Sequence, residues 1–140
     1  MSLEKKRIVG IDFGEKRIGI AITDPLGIFA QPLTTLLNDD KFWKGLESIL
    51  AQYDIGEIVV GYPLKESGDK GEITGKIDQF VKTLEKKFKV PVELADERYS
   101  SGIAKERVIA SVTSKKKRRD KGLIDKNAAA VILEDYMKTL

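Results

Sequence analysis

The stretch Arg7–Asp24, RIVGIDFGEKRIGIAITD, constrains the fold most, because it places a carboxylate inside an apolar strand pattern. Ile8, Val9, Ile11 and Phe13 form one β-branched and aromatic run, Gly14 ends it, and Ile18, Ile20, Ala21 and Ile22 begin another. Two such runs joined through Gly14-Glu15-Lys16 predict a β-hairpin. Asp12 lies within the first run, and Asp is depleted in strands, most of all in buried ones. A buried carboxylate persists when it is paired or binds a metal, whereas one at a fraying strand end can simply cap the following turn; both readings are open from this stretch alone. Gly10, Gly14 and Gly19 leave room beside Asp12 for something to approach the backbone closely.

Composition narrows the chemistry. A chain of 140 residues with 41% hydrophobic content and no compositional break reads as a single domain over 1–140, large enough to bury a core. The absence of cysteine excludes disulfides, thiolate nucleophiles and Cys-type zinc sites. The absence of histidine excludes imidazole general bases, His metal ligands and Ser-His triads, leaving carboxylates, lysines, hydroxyls or a bound metal to run any catalysis. No apolar run approaches the ~18 residues of a membrane span, and MSLEKKR lacks a signal-peptide core, so a soluble, cytoplasmic protein without a membrane partner is expected.

The net charge is only +3, yet Lys115, Lys116, Lys117, Arg118, Arg119 and Lys121 form a block interrupted by Asp120 alone. Such a block suits nucleic-acid phosphates, and it equally suits a solvated loop.

Along the chain, Gly27–Leu36 reads as a third strand in which Pro32 implies an edge or a bulge. Asn38 or Asp39 can cap a helix carrying Phe42, Leu46, Ile49, Leu50 and Tyr53 on one face, with Gly56 as its stop. Glu57–Tyr62 reads as a buried strand, Lys65–Gly71 as a loop, and a second helix presents Ile73, Ile77, Phe80, Val81, Leu84 and Phe88. Val90–Ala95 is a further strand ending at Asp96-Glu97-Arg98. A third helix is expected from Ser100 or Ser101 to about Ser111, and a last one from near Asp125, with Ala128, Ala129, Ile132, Leu133 and Tyr136 inward. This order predicts an α/β fold, a mixed sheet with helices on its faces.

Sites in such sheets gather where strands end. Asp12 ends the first strand, Asp96 and Glu97 end the last, and Asp125 starts the final helix. Brought together without histidine, such carboxylates make a hard oxygen cage suited to Mg2+ or Mn2+. Two ions ~4 Å apart can clamp the attacking and leaving oxygens of a phosphodiester. Taken singly, Asp125 is also a good helix N-cap, and Asp96-Glu97-Arg98 can be a surface ion pair.

GIDFGEKRIGIAITD, IVVGYP, the GDKGE loop, DERYSS and IDKNAAAVILEDYM resemble, in order and spacing, the YqgF/RuvX family of RNase H-like nucleases. The resemblance spans nearly the whole chain and implies a five-stranded mixed sheet with helices on both faces. Family members are described as Holliday-junction resolvases or as nucleases maturing the 5′ end of pre-16S ribosomal RNA. The resemblance places the catalytic and metal-holding acids on Asp12, Glu97 and Asp125, and implies structured RNA or branched DNA as the partner. The basic block, with Arg98, is the expected phosphate-binding set. Glu15 departs from the small hydroxyl residue common in the family, and Ala128 and Ala129 stand where RuvC-type resolvases place a second helix acid. These departures favour a nuclease over junction resolution.

Two other classes compete. D-x-G followed by a hairpin also opens the phosphate loop of actin-like ATPases, but their second lobe with its own D-x-G is missing from these residues. A nucleic-acid-binding module without catalysis would keep the basic block, although the retained acids weigh against it. The sequence does not set the oligomeric state.

Overall fold

The computed structural model describes residues 5–62, 72–96 and 121–140. The elements are β1 (Arg7–Asp12), β2 (Arg17–Thr23), β3 (Ala30–Leu37), α1 (Phe42–Leu50), β4 (Ile55–Tyr62), α2 (Glu72–Phe88), β5 (Val92–Asp96) and α3 (Lys121–Met137). The strands form one sheet in the order β3-β2-β1-β4-β5. The β1–β2 and β2–β3 pairs are antiparallel, and β1–β4 and β4–β5 are parallel. This is the five-stranded mixed sheet with helices on both faces that the family resemblance implied.

Alternation along the strands makes the two faces unequal. One carries Val9, Ile11, Ile18, Ile20, Ile22, Ile58 and Val60, which pack with Phe42, Leu46, Ile77 and Leu84 of α1 and α2. The other carries small residues: Ala21 and Ala95 join Val59 against Ala129, Ala130, Ile132 and Leu133 of α3. A Cβ on Gly10 would sit 2.8 Å from Leu133 Cβ and 3.0 Å from the Ala129 carbonyl, so α3 rests almost directly on the β1 backbone. The glycine room beside Asp12 is thus partly taken up by the protein's own helix. Ala128–Leu133 is buried without interruption, as expected of a helix apolar around most of its circumference.

Several sequence expectations are met. The β1–β2 connection runs through Gly14-Glu15-Lys16, β3 is an edge strand, and its pairing slips beside Pro32, so that Ile20 faces Thr34 while Ala21 faces Pro32. Other boundaries move. Residues 27–29 precede β3: Asp24 Oδ1 accepts the Ile28 and Phe29 N–H groups at 2.7 Å each, closing a turn that delays the strand to Ala30. These backbone donors, that of Phe29 foremost, also hold the exposed Asp24 carboxyl below its usual pKa. The boundary residue of α1 is Lys41, which makes no side-chain cap bond, while Asp39 Oδ1 accepts the Lys41 N–H at 3.0 Å just ahead of the helix. Asn38 instead donates its Nδ2–H to the Gly14 carbonyl at 2.9 Å, fastening the β1–β2 turn. α1 stops at Leu50, so Tyr53 lies beyond it with the Arg7 guanidinium 5.1 Å from its ring, and Gly56 belongs to β4. The helix expected from Ser100 or Ser101 lies outside the described residues.

The far end of α3 is tied to β4 by the Tyr136 hydroxyl, which donates to Glu57 Oε2 at 2.5 Å. That bond, then burial and the charges of Glu57 and Glu93, raise the Tyr136 pKa to about 12. A hydroxyl whose folded pKa exceeds its unfolded value of about 10 contributes stability fully below pH 10 and loses it as pH rises through 12. Tyr136→Phe should therefore cost on the order of 1–2 kcal/mol near neutrality. In paired urea melts, the gap between wild type and Tyr136→Phe should narrow between about pH 10 and about pH 12; a constant gap would show that the bond contributes nothing.

Candidate active site

The antiparallel register sets Asp12, the last residue of β1, opposite Gly19. Cross-strand partners point to the same face, so Asp12, Gly19 and, two residues from Gly19, Arg17 share the α3 side of the sheet with Gly10. Asp125 arrives there because Gly19 has no side chain. A Cβ on Gly19 would lie 2.0 Å from the Asp125 carbonyl oxygen and 2.9 Å from the Lys126 nitrogen. Gly19 is therefore a second point, with Gly10, at which α3 touches the sheet, and it sets the Asp125 backbone against the strand position opposite Asp12.

Arg17 completes the described part of the site. Its Nε–H donates to Asp125 Oδ2 at 2.9 Å, and the two side chains keep 32% and 24% of their surface exposed. The chain around Arg17 is fixed. A Cβ on Gly14 would come within 2.4 Å of the Arg17 carbonyl, the Asn38 N–H bonds the Lys16 carbonyl at 2.9 Å, and Asn38 also holds Gly14. On the opposite face Phe13 packs its ring 4.9 Å from Phe80, anchoring the residue directly after Asp12 in the aromatic group of Phe42, Trp43 and Phe80. Sequence reasoning missed Arg17; its i, i+2 relation to Gly19 and thus to the face of Asp12 was the available signal.

Asp125 is not a helix cap. α3 begins at Lys121, placing Asp125 in its second turn, where its carboxylate is committed to a side-chain partner. The helix thus starts four residues before the expected position near Asp125, and Lys121, the last residue of the basic block, is its first residue. Glu15, the unusual acid of the hairpin, pairs with Lys76 of α2 at 3.3 Å on the exposed surface. Asp12 is half-buried. Glu97, Arg98, Lys115, Lys116, Lys117, Arg118 and Arg119 lie outside the described residues, and Lys121 is described only as the first residue of α3. Among the described residues no group of three acids is assembled.

The RuvX family, described as "Holliday junction resolvase", matches residues 6–139. The chain belongs to this family. It is 43% identical over 137 residues to a Chlorobaculum tepidum protein, covering 97% of this chain and 96% of that one. It is 41% identical over 135 residues to a Geobacillus kaustophilus protein, covering 94% and 96%. Both carry the name "Putative pre-16S rRNA nuclease". Among solved structures, T. thermophilus RuvC in complex with Holliday junction substrate superposes with a TM-score of 0.54 at 18% identity, covering 96% of each chain. The Fowlpox virus resolvase with Holliday junction DNA gives 0.56 at 14% identity, covering 95% of this chain and 97% of that one. The fold is RNase H-like, and the family relationship places the chain among the phosphodiester hydrolases.

Gly19→Ala tests the contact that builds the site. The added methyl meets helix backbone rather than a yielding side chain, so α3 must shift, at about 1–3 kcal/mol. The expected result is a lower Tm together with loss of nuclease activity; activity at the wild-type level would show that the spacing of Asp12 and Asp125 is not set by Gly19.

Proposed function

We propose that this chain is a metal-dependent endonuclease for structured nucleic acid, acting in 5′-end processing of pre-16S ribosomal RNA in the cytoplasm. The observation that carries the reading is the meeting of Asp12 and Asp125 across Gly19 in a chain without histidine or cysteine. Two carboxylates facing one place, with only oxygen donors available, fit Mg2+ or Mn2+ and fit no soft metal. Asp12 and Asp125 would hold the ion, with Glu97, which follows β5 directly, as the third ligand. When bound, a divalent ion supplies Lewis-acid stabilisation of the charge that builds on the reacting phosphate. The chain's own residues orient that phosphate: Arg98 and the block Lys115, Lys116, Lys117, Arg118, Arg119 and Lys121 bind the nucleic-acid backbone and position it over the acids.

The shared name of the relatives favours ribosomal RNA as substrate. The family description favours a second reading, resolution of Holliday junctions in DNA. Matched assays with Mg2+ on a pre-16S 5′-end RNA and on a four-way DNA junction separate them, and cleavage of the junction alone would replace the first reading with the second.

Asp12→Asn and Asp125→Asn should each abolish cleavage while leaving a folded protein that retains much of its RNA affinity. Because Asp125 lies inside α3, Asp125→Ala should forfeit no cap and cost at most about 1 kcal/mol, the range of a partly exposed ion pair. Wild-type cleavage by Asp12→Asn would remove Asp12 from the mechanism, and absence of metal-dependent cleavage by the wild type would leave a non-catalytic nucleic-acid-binding module. Neutralising Lys116, Arg118 and Arg119 together should weaken binding of all sequences alike and lower the slope of log affinity against log salt by roughly 0.7 to 0.9 per lost contact. An unchanged slope would remove the block from the interface.

A further inference from the structure

We propose that Arg17 is a metal-released phosphate clamp: its guanidinium holds the Asp125 carboxylate in the metal-free protein, and a divalent ion taking that carboxylate frees Arg17 for a backbone phosphate of the nucleic acid. The proposal rests on the reading of Asp12 and Asp125 as metal ligands.

Charge balance is the first argument. Asp12 and Asp125 are both half-buried on the same side of the sheet, on either side of Gly19, in a chain with no histidine, and half-buried carboxylates are favoured by a counter-charge. Arg17 supplies one at 2.9 Å from Asp125 Oδ2. A divalent ion supplies the same compensation more strongly, and it repels a guanidinium held against the same carboxylate. Metal and Arg17 therefore compete for Asp125.

Mechanics is the second. The backbone of Arg17 cannot follow the change, because Asn38 fastens the turn and the Gly14 position abuts the Arg17 carbonyl. The side chain can, since about a third of its surface already faces solvent. A guanidinium is the side chain best matched to phosphate, which it can bind through two parallel hydrogen bonds. Lys76, the cation that pairs with the same hairpin, is engaged with Glu15 and lies on α2, against the opposite sheet face. Arg17 is thus placed to add a phosphate contact only after the acids have found their metal, which couples substrate binding to metal loading.

The test uses the full chain with Mn2+ as the metal probe and a fluorescein-labelled RNA stem-loop as the nucleic acid. Calorimetric titration should show Arg17→Gln binding Mn2+ about tenfold or more tightly than wild type, and Arg17→Lys, which keeps the charge, binding it close to wild type. RNA binding is read by anisotropy in Ca2+ and in EDTA, with the RNA checked on a gel for integrity. In Ca2+ the salt slope of Arg17→Gln should fall below that of wild type by roughly 0.7 to 0.9, and in EDTA the two should coincide. Equal or weaker Mn2+ binding by Arg17→Gln would overturn the proposal, as would a slope difference equal in Ca2+ and EDTA. If Arg17→Gln fails to fold by circular dichroism, Arg17→Lys carries the test, because loss of the planar fork should still weaken RNA binding in Ca2+ alone; no such weakening would overturn the clamp. Asp125→Asn is the separate control: wild-type Mn2+ affinity in that variant would overturn the metal-site reading itself.

Discussion

The close seating of α3 on the glycine face of the sheet is the constraint on which the rest depends. Helix and sheet backbones normally stay apart by the thickness of their side chains. Here Gly10 and Gly19 remove that thickness at two points, and Ala129 and the Asp125 carbonyl fill the space. The packing gain is ordinary dispersion and apolar burial, but its geometry is unusually exacting, since the contacts are to helix backbone and to the Leu133 Cβ, which cannot rotate away. The same closeness that packs the core carries a carboxylate from the second turn of α3 to the end of β1.

The opposite face of the sheet does a different job. Large aliphatic side chains and the aromatic group around Phe80 make a thick, conventional core with α1 and α2. Phe13 belongs to that core while its neighbour Asp12 faces α3, so the strand end bearing the acid is held by burial on one side and is open to chemistry on the other. Alternation along a strand is what permits one residue to be an anchor and the next to face the opposite side of the sheet.

Much of this was legible in the sequence. The hairpin, the edge position of β3, the faces of α1 and α2 and the inward residues of α3 all follow from periodicity and from Gly and Pro placement. The boundaries that moved did so for local reasons that composition does not encode. Asp24 satisfies two backbone donors and delays β3, and Asn38 serves the neighbouring turn instead of α1. Asp125 reads as a cap because Asp is a favoured cap residue and follows the basic block, yet its carboxylate has a long-range partner at a sequence separation of 108. Such a pair is invisible to any local rule. Asp12 was visible because an acid in an apolar strand is anomalous, whereas Arg17 was not, since an arginine at a strand start is ordinary until its face is known.

The two ends of α3 are secured by interactions of different kinds, and the difference bears on how the site can work. Near its start, helix and sheet meet through the Gly19 contact and the Arg17–Asp125 ion pair, both beside the acids. Eleven residues beyond Asp125, roughly 16 Å along the axis, Tyr136 is bonded to Glu57 of β4. Between them lies the uninterrupted apolar segment Ala128–Leu133. Exchanging one partner of Asp125 for another therefore leaves the buried middle and the far anchor of the helix untouched. A carboxylate mounted on a helix held in this way can change its counter-ion at the cost of one partly exposed ion pair, a small sum beside the burial that fixes the helix.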